Sequence, residues 1–259
     1  MDDSKAPAEK SKKDVAKRAG GARAKVGTWL RKGHDPLAGL YLTIPVFLLY
    51  HLGILLIDRR NGVDLVSVAT FKLLKFSTLA YVLVTLGVAV AIAIAIWLLR
   101  RRGKMKPAEG GSMLIESAIL AVVTPVIASW FVKTFFSWSV ASLAMGGDVG
   151  VVDKLVMSAG AGFHEEIVFR VGLFGGMVWL LKVCKLSTGK AAFIAAVLSS
   201  IVFSAVHYVG PFGDDLVLAS FMFRTFSGLI LAAIYWWRGF AVAVYTHMFY
   251  DMFYFFVLA

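Results

Sequence analysis

Long apolar runs separated by short polar breaks fill the chain from Leu37 onward. Crossing a ~30 Å hydrocarbon layer at about 1.5 Å per residue takes about 20 mostly apolar residues. Seven segments meet or approach that length: 37–57, 76–99, 113–136, 165–181, 190–208, 216–237 and 240–258. The pattern predicts an all-α, polytopic bundle of transmembrane helices with seven spans. It becomes eight if the intermediate stretch 137–162 also crosses. That stretch holds Gly146, Gly147 and Gly150 and reads as a loop followed by an interfacial or re-entrant helix.

Composition agrees with the pattern. Of 259 residues, 59% are hydrophobic and only 17% charged, which is more apolar than a soluble domain. The net charge of +11 is unevenly spread, with ten of the 27 Lys and Arg in the first 32 residues. Residues 1–33 therefore read as a basic, disordered cytoplasmic tail, with at most a surface helix near 15–30. Residues 34–259 form the transmembrane domain. The tail lacks the apolar core and cleavage site of a signal peptide, so the first span is expected to stay as an anchor.

Basic loops orient the bundle. Arg100, Arg101, Arg102, Lys104 and Lys106 follow the second span, Lys182, Lys185 and Lys190 the fourth, and Arg238 the sixth. With a cytoplasmic N-terminus in the inner (plasma) membrane, seven spans put all of them inside. Only Arg59 and Arg60 dissent. The charge thus fixes topology and meets anionic lipid, and no nucleic-acid motif accompanies it. The single cysteine, Cys184, excludes an intramolecular disulfide and reads as a small residue at a helix end. Glu116 and His51 read as interfacial, Lys133 as snorkelling, and Arg224 as pairing with Asp214 or Asp215 or reaching Asp251 or a substrate carboxylate.

Ionisable groups inside spans cost roughly 2.5–3.5 kcal/mol each on insertion scales, so they mark pairing or function. Here they concentrate in three runs. In His164-Glu165-Glu166-Ile-Val-Phe-Arg170, Glu166 and Arg170 share a helix face and can pair. Glu165 lies about 100° round the helix, less compensated, in a position suited to a general base. The second run is Phe203-Ser-Ala-Val-His207. The third, His247-Met-Phe-Tyr-Asp251, places two ionisable groups one turn apart in an otherwise aromatic and aliphatic helix. One carboxylate base and two imidazoles around a water form a hydrolytic set.

Glu-Glu-x-x-x-Arg, Phe-x-x-x-His and His-x-x-x-Asp, in that order on late helices, resemble the CAAX-protease and bacteriocin-processing (CPBP, or Abi) family of intramembrane endopeptidases. The resemblance covers about 113–259. It implies hydrolysis of a membrane-associated or lipidated peptide or protein. Glu165 would activate water with His207 as partner, His247 and Asp251 would steady the tetrahedral intermediate, and Glu166 and Arg170 would support the site. The family more often has Asn where this chain has Asp251, which accepts but does not donate a hydrogen bond unless protonated.

Glu165, His207 and His247 are also adequate zinc ligands. The His164-Glu165 pair is no zincin signature, because Val168 stands where a second histidine is required. A metal-free glutamate mechanism with no cofactor is the preferred reading. Two alternatives share the polar residues: a proton-coupled transporter, and a non-catalytic immunity or adaptor protein on the same scaffold. No inverted repeat supports the first. Apart from the Asn-to-Asp change, every polar position of the motifs is filled, which argues against the second.

Overall fold

The computed structural model describes residues 34, 36–57, 70, 72–75, 77–100, 107–136, 150–210 and 213–258. The expected tail, Arg59 and Arg60, the basic residues 101–106 and the glycines Gly146 and Gly147 lie outside these residues. Among the described residues there is no strand, and seven helices make up the fold. They are α1 (Pro36–Gly53), α2 (Thr78–Arg100), α3 (Pro107–Phe136), α4 (151–183), α5 (Thr188–Val206), α6 (Leu218–Arg238) and α7 (Phe240–Phe253, continued by Tyr254–Leu258).

Thr78–Leu98, Glu109–Phe136, Thr188–Val206 and Leu218–Arg238 are long and apolar enough to cross a membrane, and Leu37–Gly53 is a shorter apolar helix. The described residues form an all-helical fold with the apolar helices of a membrane protein. The remaining helices, α4 and α7, carry His164, Glu166, Arg170 and His247, all of them buried.

Helix α4 departs from the sequence expectation. It begins at Val151, so that Glu165 lies in its middle rather than at its start. Four sections run end to end: Val151–Gly160, Ala161–Glu165, Ile167–Gly175 and Gly176–Val183. The two middle sections are π-helical, closing their bonds from i to i+5, a geometry frequent at functional sites. The early part is helical because it packs: Val156, Met157 and Ala159 join the core with Val46 and Tyr50 of α1.

Helix α7 is the centre of the bundle. It touches α1, α3, α4 and α6, and every residue from Ala241 to Met248 is buried. A single residue separates it from α6: Gly239, at φ +94°, makes a reversal that other residues rarely adopt. The approach of α4 to α7 is equally demanding. A Cβ on Gly162 would lie 2.8 Å from the Val244 carbonyl oxygen and 2.9 Å from the Met248 nitrogen. Backbone therefore lies on backbone three residues before Glu165.

In a bilayer, apolar burial does not draw helices together, and close packing with interhelical hydrogen bonds of about 0.6 kcal/mol each takes over. Tyr245 Oη donates to the Leu42 carbonyl (2.7 Å) and Ser204 Oγ to the Phe221 carbonyl (2.7 Å), joining α7 to α1 and α5 to α6.

Two residues read as interfacial prove to be paired inside the protein. Glu116 and Arg238 form a buried, two-pronged pair. Arg238 Nε donates to Glu116 Oε1 (2.5 Å) and Nη2 to Oε2 (2.8 Å), with His34 Nε2 2.7 Å from the same Oε2. The pair ties the end of α6 to α3, and to His34 two residues ahead of α1. His51 is likewise buried, its Nδ1 2.6 Å from Tyr81 Oη.

Candidate active site

Adjacent carboxylates on α4 go to different places. Glu166 is fully buried, with Oε2 3.0 Å from Arg170 Nε and Oε1 2.9 Å from His247 Nδ1. Arg170, also fully buried, lies over the Phe203 ring with its guanidinium carbon 4.7 Å from the ring centre. A buried charge without a partner is strongly destabilising. The four-residue spacing of Glu166 and Arg170 meets that need locally, and the second carboxylate oxygen is left to hold an imidazole.

Glu165 turns towards α5 and α7. Its Oε2 is buried without a hydrogen-bond partner and lies 3.9 Å from His207 Nε2 and 3.8 Å from His247 Nε2. On the far side, His247 Nε2 is 3.9 Å from Asp251 Oδ2. These separations are too long for direct hydrogen bonds and suit two bonds meeting on one intervening oxygen.

Both imidazoles are oriented from behind. His207 Nδ1 lies 2.7 Å from the Phe203 carbonyl oxygen, an acceptor, so Nδ1–H donates and Nε2 faces Glu165. His247 Nδ1–H donates to Glu166 Oε1, and its Nε2 likewise faces Glu165. The Phe-x-x-x-His spacing thus has a physical basis. One helical turn brings the Phe203 carbonyl under the histidine ring, and the Phe203 side chain packs on Arg170, Phe169 and His207.

Every residue of the three motifs converges here: Glu165, His207, His247 and Asp251 face one another, with Glu166 and Arg170 behind them. His164 does not join. Its ring packs on Tyr50 and His51 of α1, and its Nδ1 lies 3.3 Å from the Gly160 carbonyl. Sequence reasoning missed Gly162, whose lack of a side chain lets α4 reach α7. A glycine three residues before the paired glutamates was the available signal.

Among the described residues, no group of three or more His, Cys, Asp or Glu side chains is arranged to hold a metal ion. Glu166 engages His247 Nδ1 and leaves Nε2 facing Glu165.

Residues 148–253 match the family model described as Rce1-like, type II CAAX prenyl endopeptidase Rce1-like. The match spans α4 to α7, the helices that build the site, so that segment is similar to the CAAX-type prenyl endopeptidases. No curated protein and no solved structure matches the chain.

Proposed function

We propose that this membrane protein, with residues 148–253 matching a type II CAAX prenyl endopeptidase, hydrolyses a peptide bond in a membrane-associated or lipidated substrate by a glutamate-activated water. The observation that carries the reading is Glu165 Oε2: buried, unpartnered, and faced by two imidazole nitrogens at 3.8 and 3.9 Å. A water within hydrogen-bond reach of all three atoms gives its proton to Glu165 as its oxygen attacks the scissile carbonyl. The C–O bond forms, and the carbonyl π pair moves onto oxygen.

His247 in its protonated form donates through Nε2 to that oxyanion, because its other nitrogen is held by Glu166. Collapse breaks the C–N bond, and the proton on Glu165 passes to the leaving nitrogen. His207 aims the water. Glu166 and Arg170 are positioning residues, since they act through His247 and through the packing of Phe203. No step runs through a metal.

The ends of the helices support an outer-face reading. His207 caps α5, whereas Arg238 ends α6 and His34 precedes α1. With the basic tail cytoplasmic, a multi-pass chain in the inner membrane has its site nearer the outer face, suited to substrates handled after translocation.

The test uses purified protein in proteoliposomes with an S-prenyl peptide, in heavy-oxygen water. Mass spectrometry should find two fragments, with label in the new carboxylate. Ion flux without cleavage would remove the protease reading.

A further inference from the structure

Over the ring of Tyr208, the residue after His207, lies a cation that the mechanism does not use. Arg224, in the second turn of α6, donates from Nη2 to Asp214 Oδ2 (2.5 Å). Its guanidinium carbon lies 5.1 Å from the centre of the Tyr208 ring, and Tyr208 Oη donates to Ser220 Oγ (2.8 Å). Arg224 is within electrostatic reach of Asp251, Tyr250 and Tyr254. Asp214 is tied to the site as well, because its backbone N–H donates to the His207 carbonyl (2.8 Å).

The two partners are unequal. The Arg224 side chain is 14% exposed and that of Asp214 54%. Arg224 Nη1 is buried and has no hydrogen-bond partner. A side chain that merely snorkels turns its donors to water, and Arg224 keeps one inside. A guanidinium presents a planar fork that matches a carboxylate with two parallel bonds. Asp214, half in water, satisfies one prong and is readily displaced. The anion that any peptide brings, whatever its sequence, is its own C-terminal carboxylate.

We propose that Arg224 is a specificity-determining anchor for the substrate's C-terminal carboxylate, with Asp214 as its placeholder in the free protein. The proposal rests on the peptidase reading of the same site. One end of the leaving fragment then meets Arg224 while the scissile carbonyl meets Glu165.

The test is a binding measurement on the Glu165→Gln protein in phosphatidylcholine nanodiscs. The probes are a fluorescent S-farnesyl tetrapeptide with a free carboxylate and the same peptide as carboxamide. The carboxylate should bind about tenfold more tightly, the scale of one hydrogen bond to a charged group. Arg224→Gln in the same background should abolish that preference and leave the carboxamide affinity unchanged. Asp214→Asn, at an exposed position, should tighten the carboxylate alone by removing its competitor.

No preference before substitution, including no measurable binding of either peptide, overturns the proposal. A preference that survives Arg224→Gln also overturns it. Should Arg224→Gln fail to fold, an unchanged carboxylate affinity in Asp214→Asn decides against it. Cleavage by the unsubstituted chain reports separately. A carboxylate preference without cleavage removes the peptidase reading and leaves the anchor, and cleavage without the preference does the reverse.

Discussion

Replacing Gly162 by alanine should disturb the site without touching any of its polar groups. The new methyl would sit 2.8 Å from the Val244 carbonyl oxygen and 2.9 Å from the Met248 nitrogen and Cβ. Two of those atoms are backbone of the central helix and cannot rotate away. An ordinary contact needs about 0.6 Å more, so α4 and α7 must part by roughly that distance. Overpacking of this kind destabilises by about 1–3 kcal/mol. The same parting would stretch the 2.9 Å bond from His247 to Glu166 to the edge of hydrogen-bond range. A 1 Å misplacement can cost about a hundredfold in rate, so half an ångström or slightly more should lower kcat/KM by about tenfold. The assay is peptide cleavage together with the thermal midpoint in detergent. Gly87→Ala serves as control, because a Cβ there meets nothing within 4 Å. A Gly162→Ala protein with unchanged rate and midpoint would refute the tight α4–α7 contact as the device that sets the site.

Other substitutions separate roles. Asp251→Asn should retain cleavage within about threefold, because an amide at the same place can donate to a developing oxyanion, whereas Asp251→Ala should lose about ten- to a hundredfold, both read as kcat/KM. Glu116→Gln or Arg238→Met should destabilise the fold by about 3–5 kcal/mol by stranding one buried charge, read as a fall in thermal midpoint. Cleavage per folded molecule should change little, since that pair joins α1, α3 and α6 and touches none of the site residues.

Six of the seven helices were legible because each is a nearly continuous apolar run, and in a bilayer every backbone polar group has to be satisfied within such a run. The start of α4 was not. The stretch 137–162 read as a loop followed by a separate interfacial or re-entrant helix, whereas packing on Tyr50 and Val46 makes residues from Val151 onward the first part of α4 itself. Its π-helical turns leave no periodicity to read. The Glu166–Arg170 pair was legible because its partners lie four residues apart. The Glu116–Arg238 pair was not, because 122 residues separate them. For the same reason the contact of His51 with Tyr81 on the next helix was not legible. Convergence of the three motifs could be anticipated from helix order, but the orientation of each imidazole could not. It depends on the Phe203 carbonyl and on Glu166, which only coordinates reveal.

The central claim is that Glu165 acts as base on a water without a metal. The most direct measurement compares cleavage of an S-prenyl peptide by the unsubstituted protein and by Glu165→Gln, each with and without a chelator. Removing a general base should lower kcat by about 10²–10⁴-fold while the thermal midpoint holds, and the unsubstituted protein should cleave equally well in chelator. Loss of cleavage to the chelator alone would instead make Glu165, His207 and His247 metal ligands. Cleavage by Glu165→Gln at the unsubstituted rate would contradict the account outright.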